Sequence, residues 1–181
     1  MRAMSITRVL LVVALVGSLA ACTSAKAEPK AAPPSTSPPT TSDPAVLHLT
    51  WTMEGPAPEL TPSYCDAAKH CVVPATEKGS YHGDLEGTKV AAGGAGLNAT
   101  NDRFATARIE RFDGTVKGCG TGSIYLVISE VATTTSGTGT FEVVEGFGTG
   151  GLAHLTGHGS GSGTVDASGI HGKGEGEFRC R

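Results

Sequence analysis

Hydrophobic and polar positions alternate with period two over most of the chain after residue 45, and that alternation predicts strands. Residues 46–53 put Leu47, Leu49, Trp51 and Met53 on one face and His48, Thr50 and Thr52 on the other. Residues 77–90 repeat the pattern in a weaker, more polar form. In residues 104–112, Ala105, Ala107 and Ile109 share one face, and Arg108 and Glu110 share the other. Residues 123–131 are apolar on both faces, which predicts a central strand. Residues 138–144 bring Phe141 and Val143 together, and residues 157–165 and 170–180 complete the set. The intervals are short and regular, which predicts an antiparallel meander. Closing it into a small barrel would remove the exposed edges. Only residues 64–71 fit even a short helical turn.

Composition sharpens this reading. All but two of the 26 glycines fall between Gly79 and Gly176, and no proline follows Pro74. Glycine mixed with Thr, Val and Ile suits strands that bend and turn tightly, and the lack of proline keeps every ladder donor. The expected fold is therefore all-β, a small antiparallel meander β-barrel over residues 45–181, preceded by a signal peptide and a disordered linker.

The chain before that domain has a different character. Arg2 and Arg8 precede an apolar run from Val9 to Leu19, which ends in Leu19-Ala20-Ala21-Cys22. A positive start, an apolar middle and small residues at the end are the layout of a secretory signal. The run is shorter than the roughly 18–20 residues that span a bilayer. Leu-Ala-Ala-Cys resembles the lipobox of bacterial lipoproteins. That resemblance implies cleavage after residue 21, diacylglyceryl modification of Cys22, and a protein held on the membrane facing outside the cytoplasm. Two acyl chains anchor stably where one holds only marginally. Six of the ten prolines, from Pro29 to Pro44, lie in the Ala, Ser and Thr-rich stretch that follows. Such a segment buries no core and is expected to act as a tether over residues 22–44. Fully extended, at about 3.1 Å per residue, it reaches about 70 Å.

The stretch Gly137-Thr-Gly-Thr-Phe-Glu-Val-Val-Glu-Gly-Phe-Gly-Thr-Gly-Gly-Leu-Ala-His-Leu-Thr-Gly-His-Gly is the strongest internal signature. It resembles the motif G-x-F-x-V-V-P-G-S-G-T-G-x-L-A-G-L-x-G-x-G of a bacterial family of uncharacterised function. That family shares the allene oxide cyclase-like barrel, and plant dirigent proteins carry a comparable glycine run. Gly118-Cys-Gly-Thr-Gly-Ser-Ile-Tyr-Leu is similar to the family's preceding strand. The likeness covers roughly residues 113–178. It departs at Glu145, where the family has proline, and at His154, where it has glycine. It implies a fold and carries over no catalytic residue.

Once Cys22 is set aside, four cysteines remain: Cys65, Cys71, Cys119 and Cys180. An even number in an exported domain predicts two disulfides, with three possible connectivities. Cys65–Cys71 with Cys119–Cys180 is the favoured one. The first closes a small loop, and the second pins the last strand to an earlier one. The C-x5-C spacing of Cys65 and Cys71 does not suit zinc, and no second matching pair exists.

His154, His158 and His171 are the one tempting cluster, but surrounding glycines make a shared metal ion a poor expectation, and no metal or other cofactor is predicted. No G-x-S-x-G elbow is present, and Gly159-Ser-Gly-Ser-Gly-Thr is a flexible strand or turn rather than a phosphate loop. Loss of Arg2 and Arg8 with the signal would take the formal charge from −3 to about −5. With no basic stripe, nucleic acid is not an expected partner. Arg103, Arg108 and Arg111 interleave with Asp102, Glu110 and Asp113, which reads as a solvated strand face. Trp51, Tyr125 and Phe141 lie on apolar strands, where they either fill the barrel or, with His154, line a lumen that accepts a small apolar ligand.

These features predict a lipid-anchored module of the cell envelope without enzyme activity that binds a small apolar ligand or an envelope partner. The alternatives are an isomerase or cyclase-like enzyme using the lumen, and a purely structural envelope protein.

Overall fold

The structure, a computed structural model, describes residues 44–181 apart from Glu59 and Asn101. The expected signal, Cys22 and the expected tether up to residue 43 lie outside the described residues.

Seven strands follow one another as an antiparallel meander: β3 (Cys71–Gly83), β4 (Leu85–Leu97), β5 (Arg103–Val116), β6 (Gly120–Thr133), β7 (Ser136–Val143), β8 (Thr156–Asp166) and β9 (Gly169–Arg179). The strand β1 (Val46–Gly55) closes the barrel. It pairs with β9 along its whole length and with β3 from Trp51 to Glu54. A two-residue strand, β2 (Tyr64–Cys65), lies against the start of β3. The result is an all-β, eight-stranded, closed antiparallel barrel. Among the described residues the one helical element is a 3-10 turn at Gly150–Leu152.

Several sequence expectations are refined by this geometry. Residues 77–90 fall on two strands, because the chain reverses at Gly83 and Asp84. Gly83 has φ +114°, which favours glycine. The Asp84 carboxylate accepts the Thr50 backbone N–H at 3.0 Å and the Lys117 ammonium at 2.7 Å, tying this turn to β1 and to the β5–β6 turn. Residues 64–71 are no helix. They form a tight β2–β3 connection in which Asp66 accepts the His70 N–H at 2.9 Å and Lys69 adopts φ 66°. Gly159 to Thr164 is regular strand within β8. The disulfides join Cys65 to Cys71 and Cys119 to Cys180.

The largest correction concerns β5. Ala105, Ala107 and Ile109 point outward, and Ile109 is 47% exposed. Glu110 is fully buried and the Arg108 side chain is 12% exposed, so these two face inward, while Asp102, Arg103 and Arg111 are exposed as expected. Phe104 and Phe112 share the parity of Arg108 and Glu110, and Phe112 is fully buried. Two phenylalanine side chains carry far more apolar area than Ala, Ala and Ile, and they set the phase of the strand. Residues 123–131 lie within β6, which is apolar on both faces but buried on one. Ile124, Leu126 and Ile128 point inward, while Val127 and Val131 are exposed.

Glycine explains how bulky side chains fit inside. Trp51 shares its cross-strand row with Gly174, Gly161 and Gly139, and Met53 shares its row with Gly172, Gly163 and Gly137. Trp51 and Met53 therefore each lie beside a row without side chains on β7, β8 and β9. A Cβ on Gly174 would stand 2.5 Å from the Trp51 indole. We expect Gly174→Ala to cost about 1–3 kcal/mol through overpacking. Gly96→Ala, whose Cβ would meet nothing within 4 Å, is expected to stay within about 0.5 kcal/mol of wild type. Urea unfolding of the two variants checks this, and equal effects would show that the glycine wall is not a packing requirement.

Candidate functional site

The barrel interior carries three layers along its axis. One end is apolar, with Phe112, Phe178, Leu126, Ile128, Tyr81 and Trp51 in one cluster. At the other end Val73, Ala95, Leu97 and Cys71 form a smaller cluster, with Leu60 and Phe104 packed against it. Between them lies a layer of five charged side chains: Glu77 on β3, Lys89 on β4, Arg108 and Glu110 on β5, and Glu130 on β6.

These charges are paired within the layer. Lys89 contacts Glu77 closely and lies 3.4 Å from Glu110 Oε2. The Lys89 ammonium also sits 5.5 Å from the centre of the Tyr81 ring. Arg108 Nη1 donates to Glu130 Oε2 at 2.5 Å, and its Nη2 lies 3.7 Å from Glu77 Oε2. The Tyr81 hydroxyl donates to Glu110 Oε1 at 2.5 Å. Burial first, and then the Glu110 carboxylate, hold the Tyr81 phenol well above its ordinary value of 10, so it remains a donor. Burial opposes the Arg108 charge, but Glu77 and Glu130 outweigh it and raise the guanidinium further. Arg108 Nε and Glu110 Oε2 complete no hydrogen bond among the described residues.

Two cavities of about 70 Å3 each flank this layer. Met53, Arg108, Glu130, Gly137 and Gly163 line both. The first extends towards Trp51, Tyr81 and Phe141. The second extends towards Glu77, Ala95, Leu60 and Phe104. Trp51 and Phe141 stand edge to face with ring centres 5.5 Å apart, and Trp51 meets Tyr81 at 6.2 Å. Each cavity alone is at the scale of a few waters. The flexible Met53 side chain borders both, and their summed volume approaches the roughly 150 Å3 that suffices for benzene.

The structure brings Trp51 and Phe141 together in the lumen and places the other two expected ligand residues elsewhere. Tyr125 lies on the outer face of β6, with Phe147 6.0 Å away. Its neighbours Ile124 and Leu126 take the inner positions, so strand alternation turns it out. His154 is exposed in the turn after Gly150–Leu152. His158 and His171 point outward from β8 and β9, and no group of three metal-ligating side chains forms among the described residues. Sequence reasoning missed Glu77, Lys89, Arg108, Glu110 and Glu130. The available signal was parity: Arg108 and Glu110 lie in phase with Phe104 and Phe112.

The geometry defines a class: a closed antiparallel barrel whose lumen is largely filled and carries an ionic layer between two apolar ends. Residues 62–172 match the family described as "Protein of unknown function (DUF3224)", and the chain belongs to that family. Its barrel is similar to the crystal structure of a protein with unknown function from the DUF3224 family of Shewanella oneidensis MR-1. The two share 17% identity, with 77% of this chain and 98% of that chain covered and a TM-score of 0.55. At that identity the likeness is one of fold. No curated protein matches the chain.

Proposed function

We propose that this protein is a lipid-anchored, extracytoplasmic binding module whose lumen holds a small molecule with an apolar body. The observation that carries the reading is the pair of cavities on either side of Arg108 and Glu130, bounded by aromatic rings and a glycine wall. Such a space combines apolar contact area with a few fixed polar groups, which is the usual make-up of a small-ligand site. The anchor rests on Leu19-Ala20-Ala21-Cys22 and the proline-rich stretch behind it. A second reading, isomerase or cyclase-like chemistry in the lumen, is favoured by the buried Tyr81–Glu110 hydrogen bond beside the first cavity.

Native mass spectrometry of the mature chain, extracted in mild detergent from the membranes of an exporting bacterial host, tests the proposal. The expected result is a chain beginning at a diacylated Cys22 with a small-molecule adduct that is lost on denaturation. An unmodified, membrane-free chain would overturn the anchor, and a bare mass in every preparation would overturn the bound ligand.

A further inference from the structure

The charge of the lumen sets the kind of ligand it takes. Three carboxylates, Glu77, Glu110 and Glu130, share the layer with two cations, Lys89 and Arg108. No other inward-facing position of the eight strands carries a charged side chain. The fully ionised layer therefore holds one negative charge in excess. An uncompensated charge in a low-dielectric interior is costly unless it is paired. Glu130 is the member best placed to meet a partner from the cavities. It lines both of them, and its side chain is the most exposed of the five, at 23%.

The aromatic rings point the same way. Trp51, Tyr81 and Phe141 border the first cavity together with Glu130, and Lys173, at an outward-facing position of β9, touches its rim. Aromatic faces attract cations, tryptophan most strongly, and such attraction grows where water is excluded. In this lumen one ring already stands beside a cation, since Lys89 sits 5.5 Å from the Tyr81 ring centre. We propose that the lumen ligand is a small organic monocation, an amine or quaternary ammonium, held between the Glu130 carboxylate and the Trp51 and Phe141 rings. This deepens the reading of the barrel as a ligand carrier and rests on it.

Trp51 is the only tryptophan of the chain, so its emission reports on the cavity directly. The full mature chain is titrated with tetramethylammonium, with tert-butanol as a neutral probe of similar shape, and with trimethylacetate as an anionic one. Tetramethylammonium is expected to bind at least about tenfold more tightly than tert-butanol, and trimethylacetate more weakly than either. Glu130→Gln should shrink the cation's advantage over tert-butanol to less than about threefold. Should that variant fail to fold, Phe141→Leu carries the same test by removing a ring. Equal binding of cation and neutral probe, or an advantage untouched by Glu130→Gln, would overturn the cationic ligand and leave the lumen reading standing. No response to any probe, together with a bare native mass, would overturn both.

Discussion

Replacing Lys89 by methionine is expected to destabilise the protein by about 3–5 kcal/mol, the cost of breaking a buried ion pair from one side. Methionine matches the length of the lysine stem but supplies no charge. Glu77 and Glu110 then lose their shared cation in a place where Glu110 is fully buried. Arg108 already serves Glu130 and Glu77 and reaches no further. Against a total stability of about 5–15 kcal/mol, such a loss removes a large fraction of the fold's margin. The double variant Lys89→Met/Glu77→Leu removes one charge of each sign. It keeps the Tyr81–Glu110 hydrogen bond and the Arg108–Glu130 pair, and it should recover at least half of the loss. Urea unfolding of the two variants decides the matter. A single variant within about 1 kcal/mol of wild type would mean that the layer is hydrated and that its pairing contributes little.

Removal of the Cys119–Cys180 disulfide should cost about 4 kcal/mol, because it releases a loop of 61 residues in the unfolded chain. The bridge joins the β5–β6 turn to the residue after the end of β9, and both cysteines pack against the main apolar cluster. The Cys65–Cys71 bridge closes a loop of only six residues and should contribute about 2 kcal/mol on the same model. Cys119→Ala/Cys180→Ala and Cys65→Ala/Cys71→Ala, compared in urea, give the ratio directly. A larger loss at the short loop would show that packing around Cys71, which is 7% exposed, outweighs chain entropy.

Much of the fold was legible because the signals for it are local. The alternation in residues 46–53, the absence of a helical period and the dense glycine all report on single strands, and a closed meander satisfies them together. The turn at Gly83 and Asp84 escaped because Asp84 is held by Thr50 and Lys117, which are distant in sequence. The site was much less legible. A charged residue on a strand reads as solvent-facing unless something across the sheet neutralises it. Arg108 and Glu110 are neutralised by Glu77, Lys89 and Glu130 from three other strands. Parity with two phenylalanines was the one local clue, and the apolar run of Ala105, Ala107 and Ile109 on the other face masked it. Trp51 and Phe141 were found because large aromatic residues on alternating strands face inward by default, whereas Tyr125 sat on the strand with two apolar faces and took the outer one.

The manner of closure fixes the order of assembly. Each ladder from β3 to β9 joins strands that are consecutive in the chain, so those hairpins can form one after another as the polypeptide appears. β1 is the exception. Its main partner is β9, and its register pairs Val46 with Arg179, nearly the full length of the described chain away. β1 can meet β3 over Trp51 to Glu54 early, but its long β9-facing edge, from Val46 to Gly55, stays unpaired until β9 has been made. Pairings so distant in sequence are the slow step of β-rich folding. Over that interval, the open β9-facing edge of β1 is the part of the molecule most in need of a chaperone.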